Sequence, residues 1–186
     1  VDIVGGPDDQ PGWPWQVSLW SLDITSDQWT FWWGGSLIHE QWVLTAAHCI
    51  VTNEASAFRV QVGQVKRYQS DLFQEVAHVI VHPYYIIIFQ GRDIALLMLG
   101  SGDALTVQLV TLPPPGLRVP PGTVCMVTGW GNIKAYPQQN LQEVQVPIWT
   151  CVGYRRINLF VRNDTLCAGS DDCYGDSGGP LVCGQQ

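Results

Sequence analysis

Cations are scarce in this chain. Its 186 residues hold nine Lys and Arg against sixteen Asp and Glu, a formal net charge of −7. The cations lie singly rather than in a stripe, which argues against a nucleic-acid partner, whose phosphates need a concentrated basic surface. Long apolar runs are lacking as well. The longest, "YYIIIF" from Tyr84 to Phe89, falls far short of the ~20 residues that cross a bilayer as a helix, so no membrane span is expected. There is no long amphipathic helical pattern, no repeat between the halves and no pairing of short cysteine spacings that would build a zinc site. An initiator Met and a signal peptide are also absent, which reads as a processed chain or a fragment.

What is present is short apolar strands punctuated by turns. The chain is 46% hydrophobic with nine Trp, enough to fill a core. Strands are expected at Trp15–Trp20, Ser36–Ala47, Phe58–Gly63, Glu75–His82 and Asp93–Leu99. A second group follows at Thr123–Gly131, Leu141–Trp149, Thr165–Gly169 and Gly179–Cys183. Alternation is clearest in "FRVQVG" and "EVQVPI", as half-buried strands require. Between the groups lies "LPPPGLRVPPG", Leu112 to Gly122, with five prolines in eleven residues; such a segment is stiff and cannot sit inside a sheet. The fold class is therefore all-β, as two units: residues 3–111, a connector over 112–122, and residues 123–186.

Six cysteines, an even count, favour disulfides and an oxidising compartment. The count alone leaves about fifteen connectivities open.

Three motifs carry chemistry: "LTAAHC" with His48, "DIALL" with Asp93 and "GDSGGP" with Ser177. Singly, each has a structural explanation as a core histidine, a cap residue or a plain turn. Together they make a set that nucleophilic attack by a hydroxyl needs: a base to take its proton, and a carboxylate to fix the tautomer of that base.

With "IVGG" at Ile3, "WPWQVSL" at Trp13, "GGSLI" at Gly34, "VTGWG" at Val127, "LCAG" and "GDSGGPLVC", the chain resembles the trypsin/chymotrypsin-like serine endopeptidases, and the tryptase branch in pattern. The resemblance runs from Ile3 to Cys183. It implies two six-stranded antiparallel Greek-key barrels with the site in the cleft between them. By the same likeness Ser177 is the nucleophile, His48 the base and then acid, and Asp93 the orienting carboxylate. The backbone N–H groups of Gly175 and Ser177 would form the oxyanion hole, and Asp171 would lie at the base of a pocket for Arg or Lys. Asp176 would pair with a new amino terminus at Ile3, Cys125 with Cys183, and Cys151 with Cys167. Also implied are protein or peptide substrates, protein inhibitors, secretion, self-association, and no cofactor or metal.

Several positions depart from that pattern. Asp172 stands beside Asp171 where the family has a small uncharged residue, adding a second negative charge to the pocket. Asp2 precedes Ile3, although activation in the family cuts after Lys or Arg. Trp33 replaces a cysteine that would pair with Cys49, leaving Cys49 unpaired. The partner of Cys173 and the last strands of the second barrel would lie beyond Gln186, so Cys173 is expected to be unpaired and the second barrel incomplete. These departures keep open an alternative from another class, an inactive protease fold that acts by binding partners or inhibitors.

Smaller signals complete the reading. His78 and His82 have a His-x₃-His spacing but no third ligand in view. Asn163-Asp164-Thr165 fits an N-glycosylation sequon. The apolar run at Tyr84–Phe89 falls where the resemblance places a loop bordering the cleft, and is expected to pack into the cleft, meet a partner copy or stand as an exposed patch.

Overall fold

Val17, Leu19, Leu37, Val43, Phe58, Val60, Leu97 and Leu99 come from five different strands and are all at most 2% exposed. They fill the middle of a closed six-stranded barrel. The strands are β1 (Gln16–Asp23), β2 (Gln28–His39), β3 (Trp42–Thr45), β4 (Phe58–Val62), β5 (Gln74–Val81) and β6 (Ala95–Leu99). Their order around the barrel is β1-β2-β3-β6-β5-β4, with β4 closing on β1. Closure removes the unpaired edges that an open sheet of this sort would expose. The computed structural model describes residues 12–67, 73–100, 107–133, 136–151, 164–169 and 176–184.

Local pattern explains most of these strands. In β6, Ala95, Leu97 and Leu99 are buried while their neighbours are half-buried, the period of two that puts one face on a core. β1 is buried on both faces over Gln16–Ser21 because its polar face is covered too. The Gln16 side chain there accepts a 2.6 Å hydrogen bond from Thr128 of the second unit, and Ser18 accepts one of 3.0 Å from the Trp20 indole.

Two expectations change here. Ser36–Ala47 is not one strand. It is the end of β2, a turn at Glu40–Gln41, and β3. The polar "HEQ" interrupts the apolar run, and the Gln41 N–H bonds back to His39 Nδ1 at 3.3 Å. β2 also begins at Gln28, well before the expected strand, in "QWTFWW", where aromatic residues blur the alternation.

The second unit is a partial sheet among the described residues. β7 (Val124–Gly129) and β10 (Gln142–Trp149) pair antiparallel from Gly129↔Gln142 to Val124↔Pro147. β12 (Leu181–Cys183) lies outside β7 and β11 (Cys167–Ala168) outside β10, while β8 (Asn132–Ile133) and β9 (Tyr136–Pro137) form a separate short ribbon. Disulfides join Cys125 to Cys183 and Cys151 to Cys167. Cys49 is free and buried. The connector carries no strand between residues 107 and 123.

Candidate active site

β3 ends at Thr45, and one 3₁₀ turn, Ala47–Cys49, follows. Ala47 and Cys49 are 1% and 0% exposed. Anchored between them, His48 is forced outward, with its side chain 24% exposed. Asp93 stands two residues before β6, and the pairing of Thr45 with Ala95 brings the two motifs side by side. The sequence distance between them, 45 residues, is thus closed by strand register.

Asp93 holds His48 twice. Its Oδ1 accepts the His48 backbone N–H at 2.8 Å, and its Oδ2 takes the Nδ1–H at 2.7 Å. A carboxylate so placed fixes the tautomer and favours the imidazolium. His48 is accordingly raised to about 10, first by the Asp93 hydrogen bond and next by contact with Cys49. Burial pushes the Asp93 carboxyl up, but the bonds from the His48 ring and backbone outweigh it and hold the group below its ordinary range. The nearby Tyr85 phenol is raised, mainly by desolvation and next by the charge of Asp93.

Ser177 lies in the turn Asp176–Gly179, closed by Gly179 N–H to the Asp176 carbonyl at 3.0 Å. Gly178 sits at φ +79°, a region that side chains disfavour. The turn is docked onto the first barrel: Gly34 of β2 donates its N–H to the Ser177 carbonyl at 2.9 Å. Thr45 Oγ1 in turn bonds the Gly34 carbonyl at 2.9 Å. Just after the turn, Cys183 is stapled to Cys125 on β7.

The outer nitrogen of His48, Nε2, faces the Cys49 sulfur at 3.7 Å. Among the described residues no hydrogen bond joins His48 to Ser177. Trp33 meets the imidazole edge-on at 5.7 Å. A cavity of about 410 Å³ lies alongside, lined by Thr45, Asp93, Leu112 and Gly178 among others.

Asp176 turns inward. Its Oδ1 accepts the Gly131 N–H at 2.7 Å, and burial pushes its carboxyl up. Gly129 and Gly131 leave the space this carboxylate occupies, since a Cβ on either would collide with it.

Ile3, Gly175, Asp171, Asp172, Cys173 and Asn163 lie outside the described residues. Within them, no group of three metal-ligating side chains occurs, and His82 Nδ1 accepts the Tyr84 N–H at 3.1 Å. Tyr84 and Ile86 are each 70% exposed, so the apolar loop does not fill the cleft. It is held instead by Arg92 N–H to the Asp164 carboxylate at 2.9 Å. Sequence reasoning missed the docking role of Gly34 and Thr45; the glycine doublet in "GGSLI" was the available signal, since paired glycines in a strand often mark close backbone approach.

The trypsin family profile matches residues 3–186. A tryptase of Mus musculus is 44% identical, over 97% of this chain and 73% of its own length. Serine protease 28 of Mus musculus is 38% identical, over 98% of the chain and 75% of its own. The solved structure of neuropsin, a serine protease expressed in the limbic system of mouse brain, superposes with a TM-score of 0.77 at 31% identity, covering 92% of this chain and 78% of that one. The chain belongs to the trypsin family of serine endopeptidases. Its closed barrel and partial second sheet are the chymotrypsin-like fold.

Proposed function

We propose that this chain is a secreted trypsin-like endopeptidase that cuts after Arg or Lys through Ser177, His48 and Asp93. The observation that carries the reading is the doubly bonded His48–Asp93 pair beside a serine turn docked on the same barrel by Gly34. In this reading His48 takes the Ser177 proton as the oxygen attacks the scissile carbonyl, and Asp93 stabilises the imidazolium. The N–H groups of Gly175 and Ser177 receive the charge that develops on the carbonyl oxygen; one such donor is generally worth about 10²–10³ in rate. His48 then gives its proton to the leaving amine, and water hydrolyses the acyl-enzyme by the same steps. Asp171, with Asp172 beside it, supplies the negative charge that selects a basic side chain.

Two disulfides support an oxidising, extracellular setting, with protein substrates and protein inhibitors as partners. Self-association through the apolar segment at Ile86–Ile88 belongs to the same reading; Ile87→Glu is expected to lower it in sedimentation velocity.

The test is labelling with a fluorophosphonate probe, read by intact mass and peptide mapping with Ser177→Ala as control. An adduct on Ser177, followed by cleavage of Arg and Lys peptides over Phe or Glu peptides, is the expected result. Folded protein that takes no label favours the inactive, partner-binding alternative, to which the resting contact of Nε2 with Cys49 already lends support.

A further inference from the structure

The His48 ring has two nitrogens and two partners, and neither partner is Ser177. Nδ1 is committed to Asp93 at 2.7 Å. Nε2, the nitrogen a general base must present to the serine, faces Cys49 Sγ at 3.7 Å. Cys49 is free and 0% exposed, so its thiol has no water to turn to. On β2, Trp33 closes against the ring edge-on, its own Nε1 buried without a partner.

We propose that Cys49 is a positioning residue whose sulfur competes with the Ser177 hydroxyl for Nε2 of His48, holding the base in a resting orientation. The inference rests on the reading of His48 as the base. To act, the ring must leave the sulfur while keeping Nδ1 on Asp93, a small pivot rather than a rearrangement. Only the fraction of molecules that has made this move reacts, which scales the observed rate by that fraction. A thiol contact of ordinary hydrogen-bond worth leaves the competent fraction roughly 2- to 10-fold below its limit. In the imidazolium the Nε2–H donates to the sulfur, so the same contact adds to the pull that keeps His48 protonated. The titratable groups facing the ring are Asp93, Cys49 and, beyond them, Tyr85.

The experiment compares the full chain with Cys49→Ala, with Cys49→Val, which keeps the volume filled, and with Cys49→Ser, which keeps a hydrogen-bonding group. Two readouts are taken: the His48 titration midpoint by NMR, and the rate of fluorophosphonate labelling of Ser177. Loss of the thiol is expected to move the midpoint down and to speed labelling roughly 2- to 10-fold, with Cys49→Ser staying near the unmodified protein. An unmoved midpoint overturns the proposal whatever the labelling does. A lowered midpoint with unchanged labelling overturns the competition with Ser177. If no form takes label, Ser177 is not an active nucleophile; the midpoint still decides whether Cys49 holds the ring.

Discussion

Gly34 donates its backbone N–H to the carbonyl of Ser177 at 2.9 Å, so the candidate nucleophile is bonded to the barrel that carries His48 and Asp93. The fit depends on Gly178, which sits at φ +79°. A Cβ there would collide with Thr45 Oγ1 and come within 2.6 Å of the Gly34 carbonyl. Gly178→Ala is therefore expected to cost at least about 1–3 kcal/mol from backbone strain alone, read as a lowered urea midpoint. Because the turn must shift to relieve the collision, labelling of Ser177 should fall by about 10²-fold. Unchanged labelling would mean that the turn adapts without moving the serine.

Asp93→Asn separates orientation from packing. The amide keeps the shape but no longer favours the imidazolium or selects the tautomer, and reactivity at Ser177 should fall by about 10³–10⁴. Stability responds in a defined window. His48 is raised from 6.5 to about 10 in the folded chain and Asp93 is lowered, so the pair stabilises the fold fully from above the ordinary carboxylate range up to pH 6.5. That contribution fades as the pH climbs toward 10. In Asp93→Asn the fading should be lost, and urea midpoints measured from pH 6 to 10 should run flatter than those of the unmodified chain.

The sequence was most readable where one residue type does one job. The strands β4 and β10 were legible in the alternation of their residues, and the His48, Asp93 and Ser177 motifs in their likeness to the family. The first half of β2 was not, because Trp29, Phe31 and Trp33 lie half-buried on one face and local hydropathy does not reveal what they pack on. Trp33 shows the limit most plainly. Its sequence position announced an unpaired Cys49, but only the fold shows that sulfur resting on His48 Nε2. The docking of the Ser177 turn was hidden for a different reason: it runs through backbone atoms of Gly34, which carry no side-chain signature.

The Cys125–Cys183 disulfide closes a separation of 58 residues and fixes β12 immediately after the serine turn. Cross-links of that span remove chain entropy from the unfolded state worth about 4 kcal/mol. Replacing both cysteines with Ala is expected to lower stability by roughly 2–4 kcal/mol in denaturant titration. Labelling at Ser177 should slow as well, since β12 then holds only by its pairing with β7 and the packing of Val182 on the first barrel's core. The Cys151–Cys167 link spans 16 residues and lies on the far side of the sheet; its removal should lower stability with little change in labelling. Equal effects of the two on labelling would show that β12 does not transmit the staple to the serine.

Asp176 sits in a protein-lined site with the Gly131 N–H on its Oδ1, and burial leaves its carboxyl raised. A raised acid weakens the fold as the pH rises from its unfolded value through its folded one, and the penalty is complete above that. Asp176→Asn keeps an oxygen for Gly131 but carries no charge. Its urea midpoint is expected to exceed that of the unmodified chain at pH 7 and to match it at pH 3. The reverse result at pH 7 would mean that the carboxylate has a cationic partner, and the proposed one is an amine freed at Ile3. With the expected sign, by contrast, the partner is still to come: chain prepared with Ile3 at its amino terminus should gain stability that Asp176→Asn abolishes, and should label faster at Ser177. The sign of a single midpoint difference thus distinguishes a carboxylate waiting for its partner from one that already has it.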